Sequence, residues 1–169
     1  MKEDIKMKKT FFCTTMIVLL CFSLSGCGNN KETTVQQIDI DKLQETMLAA
    51  DETLPKMQVS NSKDENADLN FSSLSDMDYN RIADYFYAYA KNGTAEEIAV
   101  IQLKDSKDEA ILMQSLQKHV DSRIKTLQEY NPEQVTMAEK AVITRKSDCV
   151  TLIISEKNGL VQKAFEDFL

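Results

Sequence analysis

Residues 106–130 limit the fold of this chain more than any other stretch. Their apolar side chains recur at steps of three and four, the period of one face of an α-helix. These side chains are Met113, Leu116, Val120, Ile124 and Leu127. Ser106 and Glu109 have the spacing of a capping box, and Asn131-Pro132 ends the helical pattern. The sequence therefore predicts a long amphipathic helix that buries this stripe against the rest of the domain.

Strand-like segments lie on both sides of this helix. Residues 98–103 are apolar on both faces, which predicts a central strand of a sheet. Residues 85–90 alternate in side-chain type before the turn pair Asn92-Gly93, which favours a hairpin. A helix that continues through residues 76–90 is left open as the alternative. After the long helix, residues 141–146 and 150–154 predict a second hairpin.

Helical spacing also marks both ends of the predicted domain. A first helix is predicted over residues 39–50 and is closed by Pro55; its apolar residues are Ile38, Ile40, Leu43 and Met47. A terminal helix is predicted from Leu160 or Val161, with Ala164, Phe165 and Phe168. Between them, residues 56–75 are undecided, with Leu69, Phe71 and Leu74 expected to pack on the core. The predicted fold is α+β: an antiparallel sheet of two hairpins, about four strands, covered on one face by the long central helix.

The N-terminal residues have the layout of an export signal rather than of a folded domain. Met7-Lys8-Lys9 is a basic start, and residues 11–24 form an apolar run too short to span a membrane as a permanent helix. Leu24-Ser25-Gly26-Cys27 then matches the lipobox of bacterial lipoproteins. We predict a lipoprotein signal peptide over residues 1–26, starting at Met7 and cut between Gly26 and Cys27.

Cys27 is the predicted site of lipidation. A diacylglyceryl group on its thiol supplies two acyl chains, and two chains hold a protein stably where one binds marginally. The prediction places residues 27–37 as lipidated cysteine and polar tether, and residues 38–169 as one α+β domain. The protein is then anchored by lipid to the cell membrane, facing outside the cytoplasm. An ordinary signal peptide or a single apolar anchor helix is the alternative.

Charge and motifs exclude several classes of function. The formal net charge is −7, and an acidic protein repels phosphate backbones, so nucleic acid is not an expected partner. Phosphate-binding loops, dinucleotide-binding turns and metal-spaced Cys/His clusters are missing from the sequence. Asp64, Asn66, Asp68 and Asn70 have the spacing of a calcium loop, but Leu69 replaces its glycine and Ser75 its bidentate glutamate. We expect no cofactor and no metal.

Two residues could carry catalytic chemistry, and both have a plainer interpretation. His119 is the only histidine; Ser115 and Asp121 lie on the same predicted helix but do not converge on it. We expect His119 to be a partly exposed residue on the helix flank. Cys149 lies in a predicted strand and is expected to be a buried small side chain. No catalytic residue is assigned.

Tyr85, Tyr87 and Tyr89 form the candidate binding surface. They share one side of the predicted strand, where exposed rings would stack on a ligand or partner. The acidic loop over residues 61–68 is expected near the same edge. Cross-strand packing inside the sheet is the alternative interpretation of such a row.

The stretch Gly93-Thr94-Ala95-Glu96-Glu97-Ile98-Ala99-Val100, the long helix after it and the strand at Ala141-Val142-Ile143 resemble a known family. It is the group of bacterial lipoproteins that carry the domain of unknown function 4358, common in anaerobic Gram-positive bacteria. The resemblance covers residues 39–168 and the lipobox. It implies a Gram-positive cell surface and supplies no activity and no catalytic residue.

These observations predict a non-enzymatic binding module of the cell envelope. Its expected partners are the membrane, through the lipid anchor, and an envelope protein, peptide or polymer. A small ligand-capturing receptor or a hydrolase with an unrecognised site is the alternative. A deep cavity with converging polar groups that include His119 or Cys149 would favour that alternative.

Overall fold

The computed structural model describes residues 37–169. Cys27, the lipobox and the predicted signal peptide therefore lie outside the described residues. Within residues 37–169, one antiparallel sheet is formed by five strands: β1 Met57–Asn61, β2 Ile82–Ala90, β3 Glu97–Leu103, β4 Val142–Lys146 and β5 Cys149–Ile154. The helices of the same range are α1 Ile40–Ala49, α2 Ala67–Ser72, α3 Glu109–Tyr130, α4 Val135–Ala138 and α5 Asn158–Phe168. The predicted α+β class is confirmed.

The strands lie in the order β1-β2-β3-β5-β4. β3 is the middle strand and all of its residues are buried, which confirms the central strand expected from its continuous apolar run. Both predicted hairpins are present, β2–β3 and β4–β5. Residues 76–90 resolve into a short 3₁₀ turn, Tyr79–Arg81, followed by β2, so the continuing helix is wrong.

β1 is the strand that the sequence did not predict. It pairs antiparallel with β2 at the edge of the sheet, with Met57 opposite Ala90 and Asn61 opposite Phe86. Its five residues mix apolar and polar side chains, so local preference alone does not define it. Further along, Phe71 and Leu74 are buried as expected, whereas Leu69 is exposed.

Helices cover both faces of the sheet, and the expectation of one covered face is wrong. The α3 face is packed by α3 with α2 and α4; its buried side chains include Phe71, Tyr85, Leu112, Leu116 and Leu152. The α1/α5 face is packed by α1 and α5; its buried side chains include Leu43, Met47, Phe86, Ile98 and Phe165. The physical reason is that β3 and β5 carry apolar side chains on both faces of the sheet, so both faces must be covered by helices.

α3 is the predicted long helix, and its apolar stripe is confirmed. Its 22 residues span about 33 Å. Leu116, Val120 and Leu127 are buried, while Met113 and Ile124 pack at the border of the core. The start differs from the prediction: a 3₁₀ turn, Ser106–Asp108, precedes the helix, and the Asp105 carboxylate accepts the Lys107 N–H at 3.0 Å. The expected capping box does not provide that bond.

The two ends of the sheet differ in what they carry. The end of the sheet nearest to Gln37 is called the entry end. A 430 Å³ cavity lies at this end, and its lining includes Gln37, Ile38, Lys63 and Asp84. At the far end, Tyr89 pairs with Glu97 and Glu97 pairs with Ile154. α1 runs from the entry end to the far end, where the Asp51 carboxylate accepts a hydrogen bond from Ser155 Oγ at 2.5 Å.

Within residues 37–169, no helix combines the length and the apolar character needed to cross a membrane.

Candidate functional site

The row of tyrosines on β2 is mostly inside the domain. Tyr85 is 0% exposed, Tyr87 is 6% exposed and Tyr89 is 37% exposed. The three tyrosines share one side of β2, as the alternation predicted, but β2 is an inner strand and α2 and α3 cover that side. As an exposed binding surface, the row is therefore wrong for Tyr85 and Tyr87, and Tyr89 alone reaches the surface.

Tyr85 is a core residue near the entry end. Its hydroxyl donates a hydrogen bond to the Ala67 carbonyl at 2.7 Å. Its ring meets Phe71 edge-on at 5.3 Å between centroids. Burial raises the pKa of its hydroxyl. These contacts fix α2 to β2 and leave no face of the ring for a ligand.

The acidic loop before α2 is organised by internal hydrogen bonds. The Asp64 carboxylate accepts the Ser60 hydroxyl at 2.9 Å and the Asn61 N–H at 3.0 Å. The Asn70 side chain donates to the same oxygen at 3.2 Å. In the described part of the chain, no group of three or more His, Cys, Asp or Glu side chains is arranged to hold a metal ion.

A buried charged cluster at the far end was not predicted. The Glu97 carboxylate is 3% exposed, and its Oε2 lies 2.6 Å from His119 Nε2. Arg123 Nε lies 2.9 Å from the other oxygen, Oε1. Burial raises the pKa of Tyr87, and its hydroxyl also hydrogen-bonds the charged Glu97. The cluster joins α3 to β2 and β3.

His119 is the partly exposed residue on the helix flank that the sequence predicted, with a side chain that is 15% exposed. The flank position is real, but β3 supplies a carboxylate directly beneath it, and the Tyr87 ring stands perpendicular to the imidazole at 6.1 Å. The signal in the sequence was an acidic residue, Glu97, at the start of an apolar strand, together with two basic residues one helical turn apart.

Arg123 also holds the turn between β2 and β3. Its Nη2 donates to the Thr94 carbonyl at 2.7 Å. Its Nε makes a charge contact with Glu97 but no aligned hydrogen bond. Gln134 accepts the Ala95 N–H at 3.1 Å from the segment after α3. The cluster therefore stabilises the far end, because the buried Glu97 carboxylate depends on the partly exposed arginine that pairs with it.

Cys149 is the buried small residue that the sequence predicted. It is 1% exposed on the α1/α5 face, and burial raises the pKa of its thiol. A raised pKa keeps the thiol protonated, which is the unreactive form.

A cavity of about 740 Å³ opens at the far end, between α4 and the first turn of α5. Its walls are Thr136, Met137, Lys140, Ser155, Glu156, Lys157, Asn158, Gly159 and Leu160. Two separate stretches of the chain, residues 136–140 and 155–160, build it, which is why no local pattern predicted it. Neither His119 nor Cys149 lines it.

Hydrogen bonds hold the walls of this cavity together. Asn158 Nδ2 donates to the Lys140 carbonyl at 2.7 Å, and Asn158 Oδ1 accepts the Ser155 N–H at 2.8 Å. Ser155 is tied in turn to Asp51 at the end of α1. Although burial acts to raise the pKa of Asp51, hydrogen bonds from Ser155 and Thr53 lower it. The cavity is therefore preformed by its own framework.

The comparisons with known proteins identify the family of this chain but do not identify an activity. No curated protein matches the chain, and no solved structure matches it. Residues 56–155 match the family described as a domain of unknown function, DUF4358. The match runs from the residue before β1 to Ser155 and includes the whole sheet and α3, while α1 and α5 lie outside it. Because it covers more than half of the chain, the protein belongs to the DUF4358 family.

Proposed function

We propose that this protein is a lipoprotein of the cell envelope, anchored through Cys27 to the outer face of a membrane, whose domain binds a partner without catalysing a reaction. The lipobox Leu24-Ser25-Gly26-Cys27 after a short apolar run supports the anchor. The partner is an envelope protein, peptide or polymer.

The observation that carries the proposal is the placement of Gln37 and the 740 Å³ cavity at opposite ends of the sheet. Residues 28–36 are the only link between Cys27 and Gln37. A domain tethered at its entry end leaves its far end free of the tether. The cavity and the exposed edge of Tyr89 are then the features available to an approaching partner.

The contacts of the two reactive residue types support binding over catalysis. Hydrolysis by His119 would need its imidazole to face a bound substrate and exchange protons with it. His119 does not line the far-end cavity, and its Nε2 contacts Glu97 in the charged cluster. Cys149 lies on the other face of the sheet, under α1 and α5. Glu156 is the single carboxylate on the cavity wall, whereas paired-carboxylate chemistry needs two.

The anchor is tested by replacing Cys27 with serine in the full chain. The wild-type protein should partition into detergent and incorporate labelled palmitate, and Cys27→Ser should do neither. Cys149→Ser is the matched control, because its thiol is buried in the domain, and it should behave as wild type. A Cys27→Ser protein that is still lipid-labelled would contradict the anchor.

The binding role is tested with a photo-crosslinking residue placed at Leu160 or, as a control, at Lys107. Leu160 stands at the far-end cavity, and Lys107 is exposed beside the start of α3 near the entry end. In cells, Leu160 should yield a discrete adduct and Lys107 should not. Adducts of equal yield from both positions, or none from Leu160, would overturn the proposed far-end contact.

A further inference from the structure

We infer that the far-end cavity binds a peptide segment that carries an apolar side chain and a free carboxylate, an assignment that rests on the binding function proposed above. Four properties of the cavity lead to this ligand: its apolar wall, the charges at its rim, the side-chain types in its lining and its fixed shape.

The apolar wall consists of Met137 and Leu160. Leu160 is 54% exposed, although Val161 and Phe165 of the same helix are buried on the α1/α5 face and Phe168 packs against them. Leu160 is thus turned out of the core and into the cavity wall. A ligand side chain that covers it removes apolar surface from water, which is the main driving force of such binding.

The charges at the rim favour an anion. Lys140 and Lys157 line the cavity together with one carboxylate, Glu156. Lys157 Nζ lies 3.2 Å from Glu52, but the Glu52 side chain is 88% exposed, and an ion pair of this kind is weak in water. A ligand carboxylate can replace Glu52 at little cost. This local excess of positive charge stands in a chain whose net charge is −7.

The side chains that line the cavity also favour a peptide over the other envelope polymers. Sugars and bases are commonly held by stacking on aromatic side chains. None of the described residues that line this cavity is aromatic. A thioether and a branched aliphatic side chain instead suit an aliphatic residue of a peptide.

The shape of the cavity is fixed before any ligand arrives. Asn158 links the Lys140 carbonyl to the Ser155 amide, and the Lys157 N–H donates to Ser155 Oγ at 2.9 Å. A preorganised wall avoids the entropy cost of ordering on binding. The volume of about 740 Å³ lies in the range of small-ligand sites and holds a few residues rather than a folded domain.

The test is a titration of the full chain, isotopically labelled and held in detergent micelles, with N-acetyl-alanyl-leucine as the free acid. The backbone amide signals of Gly159 and Leu160 should shift and saturate at millimolar ligand. The C-terminal amide of the same dipeptide is the matched probe and should bind about fivefold more weakly, the effect of one exposed charge contact.

Lysine variants distinguish binding at this cavity from general electrostatic attraction of an anion to the protein. Lys140→Gln with Lys157→Gln should raise the Kd of the free acid about fivefold and leave that of the amide unchanged. Lys42→Gln with Lys107→Gln removes the same charge at exposed positions of the entry end and should change neither. Leu160→Ser should weaken both probes, because the apolar contact is common to them.

Three outcomes would overturn the inference: shifts that do not saturate by about 20 mM of free acid, equal affinity for acid and amide, or an equal effect of the two double variants. Failure of this assignment is distinct from failure of the proposed function. The titration requires neither lipid nor a natural partner, whereas the anchor is read from Cys27→Ser and the far-end contact from the crosslink at Leu160.

Discussion

On the α1/α5 face of the sheet, the core is formed by aliphatic and aromatic side chains such as Leu43, Phe86 and Phe165. On the α3 face, comparable apolar packing surrounds a carboxylate that is 3% exposed, together with the histidine and arginine that contact it. Apolar packing is non-directional, whereas the Glu97 cluster requires particular atoms at particular places. The α3 face therefore fixes how its helix sits on the sheet, and the α1/α5 face mainly contributes burial.

The largest effect should come from removing the carboxylate of that cluster. Glu97→Ala leaves the Arg123 charge and the Tyr87 hydroxyl without their partner, so we expect a loss of about 3–5 kcal/mol in the free energy of unfolding. Urea unfolding followed by circular dichroism measures it. Glu129→Ala on the exposed side of α3 is the control, with an expected change within about 0.5 kcal/mol. A loss below about 1 kcal/mol for Glu97→Ala would show that the charged cluster contributes no more to stability than the apolar packing of the other face.

A smaller effect is expected from a conservative change on the other face. Ile153→Val removes one methylene group from a fully buried side chain packed by α1 and α5, and should cost about 1 kcal/mol in the same assay. Ile111→Val makes the same change where the side chain is 51% exposed, so its stability should stay close to wild type. A cost for Ile153→Val as large as that of Glu97→Ala would mean that the α1/α5 face is as intolerant as the charged cluster.

The smallest effect concerns acid stability at the far end. Because its hydrogen bonds lower the pKa of Asp51 despite burial, this carboxylate stabilises the folded state above its unfolded pKa of about 4. That contribution is lost as the pH falls through the lower folded pKa. Unfolding measured between pH 5 and pH 3 should show less acid dependence for Asp51→Asn than for wild type, whereas Asp68→Asn, which alters an exposed carboxylate, serves as the matched control. Identical pH profiles for Asp51→Asn and wild type would refute this role.

The sequence predicted those elements whose own side chains show a clear apolar pattern. α3 and β3 are of this kind, because their apolar residues repeat at helical spacing or form a continuous run. β1 was missed because its pairing with β2 defines it. The tyrosines of β2 share one side of the strand as predicted, but their exposure depends on α2 and α3, which cover that side.

The sites were harder to predict than the elements for the same reason. His119 and Glu97 are 22 residues apart, and only the packing of α3 on β3 brings them to hydrogen-bond distance. The far-end cavity likewise combines residues of and after α4 with the stretch from Ser155 through the first turn of α5. Patterns along one helix or strand cannot show which residues of another element will lie opposite.

The bond between Asp51 and Ser155 joins residues 104 positions apart. α1 packs against α5, so a helix that precedes the whole sheet in the sequence has its partner in a helix that follows it. Such distant contacts form late, since the chain between them must first be ordered. Without α5, α1 would still lie on the sheet, but the apolar side chains that α5 covers would face water. The α1/α5 face is therefore closed only when helices from both sides of the sheet in the sequence have come together.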